Sequence, residues 1–241
     1  DWYAGTERNR HEREYIRVAS GIAPGVFPEV LHANDRHGYF CMSWLGDDWE
    51  TWKTQLLRGH IRGSIAEKAA RVLGSIHRET ADRKDLAARF DTWKSFHELR
   101  IEPYLLTTGR RHPPLQSLFQ AEAERLSGAG QCLVHGDYSP KNMLVRGDRL
   151  VVLDCEVAWY GAASFDLAFL LNHLLLKSLY QAPHHAALIQ LVPTVVRAYF
   201  QERDLPSQEE VSLQSETMRL LLMLMLARVD GKSPVEYLQD Q

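Results

Sequence analysis

The sequence predicts an α+β fold, a small helix-and-strand piece followed by a mainly helical lobe with a β-hairpin set inside it. Aromatic and β-branched runs flank turn-forming residues at 34–38, and apolar runs flank the Arg146-Gly147-Asp148 turn. Three long helical patterns then follow Ser164. With 241 residues, 45% of them hydrophobic, the chain is long enough to bury a sizeable core.

The stretch "ERNRHEREYIRVAS" reads as one short helix, stopped by "GIAPG". "VFPEVLHAND" and "GYFCMSWLG" read as two strands joined by a turn at 34–38, with that helix packed on them. From Asp47 the pattern becomes helical. "SIAEKAARVLGSIHRET" sets Ser64 and Glu67 at capping-box spacing, and Ile65, Ala69, Val72, Leu73 and Ile76 recur at helical intervals. Residues 81–112 read as irregular, with a helix start at "RIEPYLL", and "PPLQSLFQAEAERLSG" reads as a helix ending at Gly128. "CLVHGD" and "NMLVRGDRLVVLDCEVAWYG" read as short strands around tight turns. Ser164 reads as the N-cap of the first of three helices at 164–180, 185–202 and 207–228, and the Leu/Met run at 220–226 as core.

Composition narrows the function classes. A net charge of -3 offers no electrostatic footprint for nucleic acid. The three cysteines, Cys41, Cys132 and Cys155, are odd in number and embedded in apolar sequence, which suits buried thiols in the cytoplasm rather than a disulfide framework or a zinc site. "FDLAFLLNHLLLKSLY" carries Asp166, Asn172, His173 and Lys177 and falls short of the roughly 20 apolar residues of a membrane span, so a buried helix is expected. No secretory leader is visible, and the abrupt start at Asp1 suggests an N-terminal part beyond this sequence.

The chemistry concentrates in "CLVHGDYSPKNMLV". Asp137 and Asn142 have the Asp-x-x-x-x-Asn spacing of a phosphoryl-transfer loop, in which the Asp accepts the proton of the attacking hydroxyl and the Asn binds Mg²⁺. Asp154 follows an apolar run in "LVVLDCE", which puts a second carboxylate at a strand end beside that loop if 143–146 and 150–153 pair. Oxygen ligands such as Asn142 and Asp154 suit Mg²⁺ rather than a transition metal.

"VHGDYSPKNMLV", "VVLDCEVAWYG" and "FDLAFLL" together resemble the aminoglycoside phosphotransferase and choline kinase superfamily. The resemblance implies a protein-kinase-like two-lobed fold. Residues 1–46 would be the remnant of a truncated N-lobe, and residues 47–241 a helical C-lobe with the catalytic and metal-binding loops. It implies ATP and Mg²⁺ as cofactors, Asp137 as catalytic base, Asn142 and Asp154 as metal ligands, His135 as a loop-shaping residue and Asp166 as a structural brace. His77 would be a core histidine near the site. Backbone groups around Ser43, Trp44 and Leu45 would meet adenine, and Glu12, or else Glu14, would be the helix glutamate that pairs with a phosphate-binding Lys. The family's glycine-rich hairpin and that Lys do not precede Glu12 in this sequence.

Other residues stay open between two readings. Lys141 is a phosphate or substrate contact or an ion-paired surface lysine, and Glu156 lines the cleft or faces solvent or an Arg. Trp44, Trp49 and Trp52 stack a ligand ring or pack between lobes. Arg100, Glu102, Arg110 and Arg111 read as a charged surface in preference to a substrate site. The function expected is phosphoryl transfer from ATP to a hydroxyl of a small molecule such as an aminoglycoside, sugar or amino alcohol. The alternatives are a catalytically inactive kinase-like binding or regulatory module and a metal-dependent hydrolase using Asp137 and Asp154. Oligomeric state is left open.

Overall fold

The computed structural model describes residues 7–238. Helix α1 (Arg8–Ile22) buries Tyr15, Ile16 and Ala19 and is followed by an antiparallel ribbon of β1 (Val30–Asn34) and β2 (Tyr39–Met42). A two-residue strand β3 (Glu50–Thr51) leads into α2 (Trp52–Leu57), whose first turn is capped where the Thr54 N–H donates to the Thr51 hydroxyl. Helix α3 (Gly63–Glu79) buries Ile65, Ala69, Leu73 and Ile76 along one face, the stripe that the sequence periodicity predicts.

The capping box at Ser64 does not form. Arg62 donates to the Gly147 carbonyl and to Gln55 Oε1, which starts the helix at Gly63, while Glu67 pairs with Arg71.

Residues 81–112 are helical rather than irregular. They form α4 (Lys84–Arg89), α5 (Trp93–Phe96), a π-helical segment (His97–Leu106) and α6 (Thr107–Arg111), the last three as one run. Pro103 lies inside it, and a wider turn accommodates a residue that has no N–H to donate. The sequence places a helix start at "RIEPYLL", but the helix begins earlier, where Phe96 stacks on Trp159 at 4.3 Å, and Ile101 and Leu105 are fully buried. Helix α7 (Gln116–Ser127) ends at Gly128, as expected.

Strand β4 (Cys132–Val134) precedes the hairpin of β5 (Met143–Arg146) and β6 (Arg149–Val152), and β7 (Trp159–Gly161) returns to pair with β4. The hairpin joins β3 in the order β3-β5-β6 and turns through Gly147 at φ 54°, a conformation that a residue with a Cβ adopts only under strain.

Helix α8 (Ala163–Tyr180) is buried almost throughout, and α9 (His185–Ile189), α10 (Leu191–Arg203) and α11 (Ser207–Asp230) complete the lobe. Helix α3 packs on α10, and α8 packs on α11. Ser164 is not the cap of α8, because its hydroxyl accepts from Arg125 at 3.1 Å and Ala162 precedes the helix. The helix expected at 185–202 divides at Gln190, which leaves Pro193 in a first turn, where a missing N–H costs nothing.

Cys132 and Cys155 are buried, whereas Cys41 is exposed on the thinly covered two-stranded ribbon. In the Leu/Met run Leu220, Leu221 and Leu224 are buried, but Leu222 is 62% exposed. Among the described residues, no helix is long and apolar enough to cross a membrane.

Candidate active site

Asp166, in the first turn of α8 and fully buried, holds the start of the loop after β4. Its Oδ2 accepts from the His135 N–H at 2.6 Å and its Oδ1 from the Gly136 N–H at 2.9 Å. His77, also fully buried, places Nε2 3.4 Å from Oδ2 and Nδ1 2.8 Å from the Tyr199 hydroxyl. Burial lowers the His77 pKa against the pull of Asp166, so the ring is neutral. Its Nε2–H therefore faces the carboxylate, and its Nδ1 accepts from Tyr199.

The next residues depend on close approach. Gly136 has φ 80°, and a Cβ there would lie 2.7 Å from the Val157 carbonyl oxygen. His135 Nδ1 accepts from the Asp137 N–H at 3.1 Å, and its Nε2–H donates to the Leu153 carbonyl at 3.2 Å. The His135 ring lies edge-on between Tyr15 of α1 and Tyr138, at 5.4 and 5.5 Å, and burial lowers its pKa too. One neutral histidine thus joins α1, the Asp137 loop and the turn that carries Asp154.

Asp137 is buried with two cations on one oxygen. Arg100 lies 3.1 Å and Lys141 2.8 Å from its Oδ2. Burial works to raise the Asp137 pKa, but Arg100 and Lys141 outweigh it and hold the carboxyl below its ordinary value. Lys141 is therefore ion-paired, although its own side chain is half exposed. Arg100 corrects the surface reading: it is 9% exposed and donates to the Gly136 carbonyl at 2.5 Å and to the Leu99 carbonyl at 2.8 Å. By contrast, Arg110 pairs with Glu102, and Arg111 with Asp230, at the surface.

Asn142 and Asp154 are brought together by backbone. The Asn142 side-chain Nδ2–H donates to the Asp137 carbonyl at 3.0 Å, which leaves its amide oxygen as an acceptor, and the Leu153 N–H donates to the Asn142 carbonyl at 2.9 Å. Asp154 itself has φ 60°, a left-handed conformation that is sparsely populated outside glycine and tolerated best by Asp and Asn.

Glu12 faces this turn. Burial, then Asp154, then Glu156 push its pKa up to about 7, while it accepts from the Cys155 and Asp154 N–H groups. Among the described residues it has no cation within ion-pair distance, whereas Glu14 pairs with Arg17 and Arg89 at the surface. Glu156 pairs with Arg8 at 2.5 Å, and burial, opposed by Arg8, raises its pKa. Among the described residues, no three His, Cys, Asp or Glu side chains are grouped so as to hold a metal by themselves. That arrangement fits a cation that takes one carboxylate and one amide oxygen and draws its other ligands from phosphate and water.

Two cavities lie in this part of the structure. One, of about 410 Å³, is lined by residues 42–47 with Trp49, Leu144 and Leu153. The Ser43 N–H donates to the Glu29 carbonyl at 2.9 Å, and the Glu29 N–H donates to Ser43 Oγ at 3.0 Å, which ties this segment down. Trp44 stands 82% exposed at the rim, Trp49 lies under Arg146 and Arg149, and Trp52 is buried. The second cavity, of about 230 Å³, contains Asp137 and Lys141 together with side chains of α8, α11 and the segment after α11.

A model of the phosphotransferase enzyme family matches residues 6–205, most of the chain and the loops that carry Asp137, Asn142 and Asp154. The chain belongs to that family. The α+β architecture, a small N-terminal part and a mainly helical lobe with the β5-β6 hairpin inside it, is the protein-kinase-like fold of this phosphotransferase family.

A methylthioribose kinase of Pectobacterium atrosepticum is 23% identical over 202 residues, which cover 73% of this chain and 50% of that protein. An N-acetylmuramate/N-acetylglucosamine kinase of Neisseria meningitidis is 25% identical over 169 residues, which cover 66% of this chain and 49% of that protein. The chain therefore spans about half the length of the curated relatives it matches. A glucosamine kinase structure overlays with a TM-score of 0.49 at 15% identity, covering 90% of this chain and 62% of that one. A choline/ethanolamine kinase family protein from Mesorhizobium loti overlays with a TM-score of 0.48 at 16% identity, covering 90% and 84%.

Proposed function

We propose that this phosphotransferase-family protein transfers the γ-phosphoryl group of ATP to a hydroxyl of a small molecule, in the cytoplasm, with Asp137 as catalytic base. The observation that carries this reading is the placement of Asp137: buried, ionised, pinned through Oδ2 by two cations, and lining a pocket of its own. Its other oxygen would take the acceptor hydroxyl. A carboxylate of lowered pKa is a weak base, which suits a loose transition state in which the proton leaves late and orientation does most of the work.

Adenine would lie in the cleft beside Ser43, Trp44 and Leu45. Asn142 and Asp154 would hold Mg²⁺, with Glu12 nearby, and the ion would supply neutralisation of the charge that develops on the phosphates. Glu12, whose pKa is raised by burial and then by Asp154 and Glu156, adds a carboxylate beside that pair, which supports a cation there. Arg100 and Lys141 hold Asp137 in place, while His135 and Asp166 hold the loop backbone.

The test is ADP formation from Mg-ATP by the full-length protein with a panel of small hydroxyl compounds. Acceptor-dependent turnover is expected in the wild type, and in Asp137→Ala a loss of about 10³-fold or more in kcat with Mg-ATP affinity retained. An Asp137→Ala protein that turns over near the wild-type rate removes the assignment.

A further inference from the structure

We infer that the acceptor is an anion: a small hydroxyl compound that also carries a carboxylate or phosphate group, held by Lys177 and Arg228 in the cavity beside Asp137. This inference rests on the kinase reading above and names its substrate class.

Among the described residues the charges in that cavity do not balance. Lys141 is paired with Asp137, and Lys53 is paired with Glu236 at the mouth. Lys177 and Arg228 remain. Lys177 is 1% exposed, and the contacts of its ammonium are the His173 carbonyl at 3.3 Å and the face of Tyr237 at 5.4 Å. Arg228 spends one nitrogen on the Ser233 carbonyl and hydroxyl and on the Tyr104 hydroxyl. Among the described residues neither has a carboxylate within ion-pair distance. A buried cation without a counter-charge is costly, and a protein keeps one where a ligand supplies the missing charge.

Unused polar atoms point to the same place. Among the described residues His173 Nε2, Arg228 Nε and the Tyr237 hydroxyl are buried without a hydrogen-bond partner, and all three residues line this cavity. His173 is 6% exposed and kept neutral by burial, then by Lys177 and Arg228, so it offers a neutral ring rather than a third charge. A planar guanidinium beside an ammonium matches the oxygens of a carboxylate or a phosphate, whereas an aminoglycoside or choline would place like charge against like. The cavity shares no lining residue with the cleft at 42–47, which separates this anion from the nucleotide.

The experiment pairs acceptors that differ in charge: glycerol, D-glycerate and glycerol 3-phosphate; D-glucose, D-glucuronate, D-glucose 6-phosphate and D-glucosamine. ADP release and calorimetric affinity are measured on the full-length wild type, Lys177→Met and Arg228→Met. The anionic members should bind at least tenfold tighter than their neutral partners. Both variants should erase that preference and leave Mg-ATP affinity unchanged. Preference for D-glucosamine or for the neutral compounds overturns the inference while leaving the kinase reading intact. So does a Lys177→Met protein that keeps the preference, or one that loses Mg-ATP affinity instead. If no acceptor stimulates ADP release, the kinase reading fails, and the calorimetric comparison still decides whether the cavity selects anions. The carboxylate and phosphate arms show which oxyanion it takes.

Discussion

On the α1 side of the Asp137 loop, Glu12, Asp154 and Glu156 crowd together, with Arg8 on Glu156. On the side of α8 and α11, Lys53, Lys141, Lys177 and Arg228 face Asp137 and Glu236. One surplus is acidic, the other basic. Asp137 lies where they meet, and its two flanking cations come from different elements, Arg100 from the π-helical segment and Lys141 from its own loop. The contrast shows how a six-residue loop serves two ligands of opposite requirement. A cation offsets one side and an anion the other, and neither surplus lowers the free energy of the unliganded protein.

The comparison is broken most severely from the acidic side. Asp154→Asn keeps the shape and tolerates the same left-handed backbone, so the fold should persist, while phosphoryl transfer should fall by about 10²–10³-fold with a raised Mg²⁺ requirement. A magnesium titration of ADP formation checks this, and an unchanged half-saturation point would remove Asp154 from the metal site.

Next comes Arg100→Met. It strips one cation from a buried carboxylate and leaves the Gly136 carbonyl without that donor, and should cost about 3 kcal/mol in a denaturant titration. Because Arg100 helps hold the Asp137 pKa down, the stability that this carboxylate contributes above its ordinary value and loses as pH falls should be smaller in the variant, so its acid limb should be shallower. A cost near zero would mean that Lys141 alone suffices.

Lys177→Met acts in the opposite direction. Burial, then Lys53 and Arg228, lower the Lys177 pKa from 10.5 to about 7. The folded state therefore carries an unfavourable charge in full below pH 7, and the penalty is relieved as pH rises toward 10.5, where the unfolded chain also loses the proton. The variant should be more stable than the wild type by about 2 kcal/mol at pH 6, with the gap closing by pH 10. Melting temperatures across that range check it, and a pH-independent gap would point to packing instead of charge.

The smallest effect concerns the frame shared by both sides. His77 and His135 are held neutral by burial, below their ordinary value of 6.5. Above pH 6.5 they cost nothing, and below it the unfolded chain takes protons that the folded one refuses, so stability should fall with acidification. His77→Gln should lessen that fall by about 1 kcal/mol between pH 7 and 5. An identical acid limb in the variant would place the loss elsewhere.

Much of the fold and of the acidic side could be read from the residue order. The Asp137-Asn142 spacing, Asp154 at the end of an apolar run and the Asp166 segment are local signals, each lying within a few residues of the strand or helix that carries it. The basic side was not legible. Arg100 read as surface because it lies among charged residues in a stretch that reads as irregular, and Lys177 read as one polar residue in a buried helix because its partners in the cavity come from α2, α11 and the segment after α11. The Ser64 and Ser164 caps failed for the same kind of reason, since long-range Arg contacts set those helix starts.

By itself the sequence determined the α+β order, the family and the loop that carries Asp137, because periodicity and motif spacing are properties of neighbouring residues. Only the tertiary structure decided which charges meet. It separated Glu12 from Glu14, brought Arg100 onto Asp137 and left Lys177 buried with no carboxylate of the described residues within ion-pair distance. Coulomb energy and desolvation depend on distance and burial in space, and the position of a residue in the chain specifies neither.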